Sequence, residues 1–260
     1  MTLALKKVFP PLYIFFKKFE KYMPASTLLW DKKKYTVNLK IISMLRMWKS
    51  WPRLKKEADI VFSFYNGGDF IDIGASNGVY SFLLAPKANI NDTFVQCEPD
   101  LAAKKDLIDN LKVLKKLFNH IKLKFVFNPI NNGKFAIKHS TEYGHLVYSN
   151  EIKSNVSENN DKKERVESDT IDDLVEKLDL NPSFIKIDVE GAEHEVLQGA
   201  SNTLKNYKAL IMLEKHPTLI PKTVTFKTID DLLNKAGYEK ECLIFKDDIA
   251  INEIWRKTKF

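Results

Sequence analysis

From about residue 69 onward, short apolar runs alternate with segments of helical spacing. Phe70, Ile71 and Ile73 predict a first buried strand, followed by Val79–Ala85 as the start of a helix. Thr93–Cys97 predicts a second strand, Leu101–Phe118 a helix with lysines on its outer side, and Lys122–Phe127 a third strand. Farther on, Phe184–Val189 and Ala209–Leu213 are apolar enough for strands buried on both faces. Ala192–Leu204 between them reads as one helix. Phe226–Ala236 is a helix closed by Gly237, and Leu243–Phe245 and Ile251–Trp255 are the last strands. Strands alternating with helices predict an α/β fold, a largely parallel sheet covered by helices on both faces.

Three stretches depart from that alternation. Gly133–Ser149 alternates like a hairpin and precedes Ser154–Lys163, a polar run read as a mobile loop, so 133–163 is expected to be an insertion. Thr170 stands where an N-cap belongs before Asp172 and Asp173, opening the helix Ile171–Leu178. At the other end, Leu39, Ile42, Leu45 and Trp48 have helical spacing, interrupted near Pro52 and resumed over Lys55–Phe64. Residues 1–60 are therefore expected to form a helical arm or lid on a main domain of residues 61–260.

Charge sharpens this division. The net charge is +7, yet residues 1–56 carry 14 Lys and Arg against Glu20 and Asp31, and the remainder is mildly acidic. A basic arm suits an anionic partner: a phospholipid surface, a nucleic acid or an acidic glycan. Within residues 1–24, aromatics flanked by lysines suit a peripheral contact with an anionic membrane. Val8–Phe16, with Pro10-Pro11, is too short to span a bilayer. The arm holds no recognisable nucleic-acid module, which places nucleic acid low among partners. Two distant cysteines, Cys97 and Cys242, form no disulfide framework and point to a reducing, cytoplasmic setting.

Candidate chemistry gathers at strand ends. Asp72-Ile-Gly74-Ala75-Ser76-Asn77-Gly78 is a glycine-rich turn between strand and helix, where backbone N–H groups can meet a ligand. Its spacing is neither the dinucleotide fingerprint nor the P-loop. Glu98, followed by Pro99, lies 20 residues after Gly78 at the end of the next strand, where a carboxylate can hold ribose hydroxyls. Turn and carboxylate together point to an adenosine-bearing ligand. A cationic sulfonium and amino group suit Asp72 better than a pyrophosphate does, which favours S-adenosylmethionine. Asp188, Glu190 and Glu193 crowd the end of a later strand, and Glu214 and His216 end the strand after it. Asp188 is the first candidate for a general base, His216 the second. A divalent cation on Asp188 and Glu214 is the alternative way to acidify a hydroxyl, although the donor set argues only weakly for metal. His139, Tyr143 and His145 read as exposed hairpin residues, with an acceptor pocket as their alternative role.

These motifs occur in a recognisable order: the glycine turn, Cys97-Glu98-Pro99, Thr170-Ile171-Asp172-Asp173-Leu174, then Lys186-Ile-Asp-Val-Glu-Gly-Ala-Glu193 and Gly199-Ala200. Over roughly 69–216 the sequence resembles the FkbM family of S-adenosylmethionine-dependent methyltransferases, with Ile171 where the family usually has Leu. The resemblance implies a class I methyltransferase fold, Rossmann-like, with a seven-stranded sheet whose last strand is antiparallel. It also implies O-methylation of a sugar, glycan or natural-product hydroxyl. It implies a cofactor site at Asp72, Gly74, Ala75, Ser76, Asn77, Gly78, Glu98, Pro99 and Asp188. An RNA methyltransferase, or a nucleic-acid-binding protein using the basic arm, is the competing reading.

Overall fold

The structure, a computed structural model, describes residues 26–30, 33–37, 52–133, 135–140, 146–149 and 164–258. The expected membrane-contacting segment 1–24, the helical pattern over 39–48, Tyr143, His145 and the loop 154–163 lie outside the described residues. In chain order come β1 (Ser26–Trp30), β2 (Lys33–Val37), α1 (Pro52–Phe64), β3 (Asp69–Ile73), α2 (Val79–Leu84), β4 (Thr93–Cys97), α3 (Leu101–Leu117) and β5 (Lys122–Val126). They continue with β6 (Phe135–Ser140), β7 (Leu146–Ser149), β8 (Glu164–Glu167), α4 (Ile171–Lys177), β9 (Pro182–Ile187), α5 (Glu193–Gln198) and α6 (Ser201–Asn206). The last are β10 (Leu210–Lys215), α7 (Phe226–Lys235), β11 (Tyr238–Lys246) and β12 (Ile251–Lys257).

Seven strands form the central sheet in the order β11-β12-β10-β9-β3-β4-β5. The pairs from β10 to β5 are parallel, and β12 runs antiparallel to both β10 and β11. This is the expected α/β class I arrangement, with the last strand reversed between its neighbours.

Alternation along each strand sends side chains to opposite faces. Ile71, Ile73, Ile185, Ile187, Ile211 and Leu213 pack with Leu174, Val196, Leu204, Ile229 and Leu233 from α4, α5, α6 and α7. On the other face Phe70, Phe94, Phe184 and Met212 pack with Val61, Leu107 and Leu111 from α1 and α3, and with Tyr65. Rings meet edge-on there, Phe70 with Phe94 at 5.3 Å and Tyr65 with Phe94 at 6.1 Å between centroids. Each such fully buried side chain contributes roughly 1.5–3 kcal/mol relative to an exposed one.

That second face changes character toward the carboxyl ends of its strands. Phe70 is followed at the next same-face position by Asp72, Phe94 by Gln96 and then Glu98, Phe184 by Lys186 and then Asp188, and Met212 by Glu214. Register pairs Asp72 with Gln96 on one side and Lys186 on the other, while Glu214 pairs with Asn252. An aromatic floor thus gives way to a polar row at the crevice where open α/β sheets bind ligands.

Several expectations need correction. The segment Ala192–Leu204 is two helices, broken at Gly199-Ala200. A Cβ at Gly199 would lie 2.0 Å from the Asn131 carbonyl oxygen, and the Gly199 carbonyl accepts the Asp172 N–H instead of continuing a helix. The Asp172 carboxylate then accepts the N–H groups of Asn202 and Thr203, restarting the chain as α6. Part of the arm expected to be helical is an antiparallel hairpin, β1 with β2. The boundary placed at residue 60 falls inside α1, whose Ala58 and Val61 belong to the core. The expected hairpin after Gly133 is β6 with β7, carrying His139 on β6, and β8 joins as a third strand. Among the described residues, no helix is long and apolar enough to cross a membrane.

Candidate active site

The turn after β3 requires glycine for two separate reasons. Gly74, Ser76 and Gly78 have φ of 80°, 50° and 77°, the left-handed region that disfavours most side chains. A Cβ on Gly74 would also lie 1.8 Å from the Asp188 carbonyl oxygen, so this glycine allows the turn to seat on the backbone beyond β9. The N–H groups of Gly74 and Ala75 donate to the Cys97 carbonyl at 2.9 and 3.0 Å. The Ser76 N–H donates to Oε2 of Glu98 at 2.7 Å, and the Asp100 N–H donates to Oε1 at 2.8 Å. Glu98 therefore lies against the turn, as the spacing expected. Burial pushes its carboxyl pKa up against the pull of those two donors. Ala75 and Gly78 are buried, Asn77 and Pro99 half-buried, and Ser76 is exposed. The Asn77 carbonyl accepts from the Asn110 side chain of α3, which fixes the far side of the turn.

Asp72, a member of that polar row, is closed off from solvent. It is wholly buried, and its carboxylate lies 3.3 Å from Nζ of Lys186, its register partner on β9. The same ammonium lies 3.3 Å from Oδ2 of Asp188 and donates to the Gly74 carbonyl at 3.1 Å. Burial pushes the Asp72 carboxyl up, with Lys186 opposing. For Lys186, burial pulls its pKa down, yet Asp188, Asp72 and Glu214 outweigh that and raise it. One buried ammonium thus serves two carboxylates, and among the described residues neither Asp72 oxygen has a hydrogen-bond partner.

Asp188, Glu190, Glu193, Glu214 and His216 converge as the sequence expected. His216 Nδ1 lies 2.8 Å from the buried Oε1 of Glu193, which also accepts the Gly191 N–H at 2.7 Å. His216 Nε2 lies 3.7 Å from Asp188, 3.8 Å from Glu190 and 3.8 Å from Glu214. Burial pulls the imidazole pKa down, but Glu193, Asp188 and Glu190 together raise it to about 10. Burial, then Asp188, raises the Glu214 carboxyl to about 8, while Asn252 donates to its Oε2 at 3.1 Å. Asp188, Glu214 and His216 each offer a potential ligand atom within 4.8 Å of the others, a spacing that a divalent cation could use.

Two features escaped the sequence reading. Lys186 sits in the family-like string without an assigned role; its signal was a charge on the same strand face as Phe184. Glu57 of α1 is buried and accepts a hydrogen bond from the Tyr80 hydroxyl of α2, with Asp188 and Lys186 among the charges acting on it. Nothing in the helical pattern distinguished Glu57 from its solvent-facing neighbours. The Thr170–Leu174 motif, by contrast, serves the fold: Thr170 and Asp173 close a capping box on α4, and Asp172 caps α6.

Residues 72–240 match the model of the methyltransferase FkbM domain. Similar solved structures include methyltransferase FkbM from Methylobacillus flagellatus KT, at 16% identity and TM-score 0.46, covering 73% of this chain and 44% of that one. Trm5b from Pyrococcus abyssi aligns at 16% identity and TM-score 0.45, covering 90% of this chain and 56% of that one. The Methanococcus jannaschii fibrillarin pre-rRNA processing protein aligns at 12% identity and TM-score 0.48, covering 90% of this chain and 84% of that one. The chain spans about half the length of the first two. No curated protein matches it in sequence. The family match spans well over half of the chain, across both the glycine turn and the carboxylate cluster: the protein belongs to the FkbM methyltransferase family.

Proposed function

We propose that the protein is an S-adenosylmethionine-dependent O-methyltransferase whose acceptor is an uncharged, hydroxyl-rich molecule such as a sugar, a glycan or a natural-product alcohol. The observation that carries this reading is the junction of the glycine turn with Glu98 on one side and the Asp188 cluster on the other. The donor set fits the cofactor: a carboxylate at the end of β4 for ribose hydroxyls, and further carboxylates facing a cationic ligand. When bound, S-adenosylmethionine supplies an activated methyl group.

The protein's own part is alignment and proton removal. Asp188 is the proposed base. Its Oδ2 rests on Lys186, and its Oδ1 lies 3.7 Å from His216 Nε2. His216, with its pKa raised to about 10, is a cation near neutrality, so it holds the carboxylates in place rather than accepting the proton. Glu214, raised to about 8, largely keeps its own proton near neutrality, which leaves the acceptor's proton to Asp188. Compensation of Asp188 by Lys186 favours direct proton acceptance over a divalent cation, and EDTA-treated protein is expected to keep its transfer activity.

The acidic surroundings argue against the RNA reading. Asp188 and Glu190, the part-exposed carboxylates of the cluster, would repel a phosphate backbone brought to the crevice. Transfer of labelled methyl groups to glycan and tRNA pools tests the assignment. Label in glycan or polyol, lost in Asp188→Asn, is the expected result; label in tRNA alone would overturn it.

A further inference from the structure

We propose that Lys186 is a positioning residue, a single ammonium that locks the cofactor turn and the Asp188 carboxylate into one unit. This rests on the reading of the turn as an S-adenosylmethionine site. The ammonium donates one hydrogen bond, to the Gly74 carbonyl at 3.1 Å, and forms ion pairs at 3.3 Å with Asp72 and with Asp188. Lys186 is 2% exposed and its Nζ lies 5.0 Å from the centroid of the Tyr80 ring, so water does not compete for those contacts. Neutralising Asp72 alone would need only one of them. The other two reach the backbone of the turn and the carboxylate at the reacting end.

The backbone reinforces the same union. The Asp188 N–H donates to the Ile73 carbonyl at 3.0 Å, and the Asp188 carbonyl fills the space that a side chain on Gly74 would need. The turn and Asp188 can therefore hardly shift independently. Lys186 adds the side-chain half of this coupling: it fixes which carboxylate oxygen of Asp188 is engaged and which is left to the crevice. A methyl transfer needs acceptor, base and methyl group in one line, so an error there is costly.

The test separates positioning from mere charge balance. Lys186→Met alone leaves Asp72 buried without a counter-charge and is expected to be unstable. The double variant Lys186→Met with Asp72→Asn removes both charges together and should restore thermal stability close to that of wild type. Its affinity for S-adenosylhomocysteine, measured by calorimetry, is expected to stay about tenfold or more below wild type. A double variant that binds within about twofold of wild type would overturn the proposal, since Lys186 would then only neutralise Asp72. A double variant that cannot fold would also overturn it, by assigning Lys186 to the fold itself. Wild-type protein that binds no S-adenosylhomocysteine would instead contradict the cofactor reading, before any variant is compared.

Discussion

Nδ1 of His216 lies 2.8 Å from Oε1 of Glu193, and this contact decides the charge state of the imidazole. Glu193 is wholly buried at the start of α5, so the hydrogen bond is shielded from water. With its folded-state pKa raised to about 10, His216 contributes stability that is fully present below its unfolded value of about 6.5 and is lost as pH rises through about 10. Glu193→Gln should bring the ring titration back toward the ordinary range and flatten that decline. Stability at neutral pH should fall by about 1.5–3 kcal/mol, the worth of a charge-assisted hydrogen bond. NMR titration of the ring, alongside urea unfolding at several pH values, reads both effects.

Acidification should weaken cofactor binding. Burial holds the carboxyls of Asp72 and Glu98 above their usual range, so both take up protons at a higher pH than exposed carboxyls do. Glu98 must accept hydrogen bonds from ribose hydroxyls, and Asp72 must keep Lys186 charged and placed. Affinity for S-adenosylmethionine is therefore expected to fall as pH drops through the acid range. A calorimetric series would reveal this; an affinity flat in pH would contradict it.

The arm is expected to be anchored to the site through Glu57. Its carboxylate is buried and accepts from the Tyr80 hydroxyl, joining α1 to α2. Tyr80→Phe removes that donor and should cost about 1–3 kcal/mol, the penalty for a buried acceptor left unsatisfied. Glu57→Leu removes the carboxylate along with its need for a partner and should cost less. Denaturant unfolding of both variants distinguishes this contact from a passive one.

Gly74→Ala should be among the most damaging single substitutions. Its φ of 80° strains any side chain, and a Cβ would sit 1.8 Å from the Asp188 carbonyl oxygen. Strain of about 1–3 kcal/mol adds to that clash. A marked fall in melting temperature with loss of S-adenosylhomocysteine binding is expected. Retention of both would show that the turn does not seat on Asp188.

What could be read from the sequence divides along physical lines. Strands such as Phe184–Val189 announce themselves because both faces are buried, and Glu98 because its spacing from Gly78 matches a known ligand geometry. The break at Gly199 is hidden in the sequence, since helix propensity over Ala192–Leu204 is good and the contacts made there, with Asn131 and Asp172, come from residues distant in sequence. Asp72 reads as a ligand contact because it precedes the turn; its ion pair with Lys186 across the sheet is not visible in the local pattern. Glu57 was illegible for the same reason, as its partner Tyr80 comes from another helix. Tertiary pairing, which local pattern does not encode, decides the role of each of these side chains.

Calorimetric titration of S-adenosylhomocysteine into wild type and Glu98→Ala tests most directly whether the turn and Glu98 form an S-adenosylmethionine site. Saturable binding by wild type is expected, and affinity weakened about tenfold or more in Glu98→Ala, with circular dichroism checking that the variant stays folded despite losing the acceptor for the Ser76 and Asp100 N–H groups. Well-folded wild type that gives no binding signal, or a Glu98→Ala variant that binds as tightly as wild type, would contradict it.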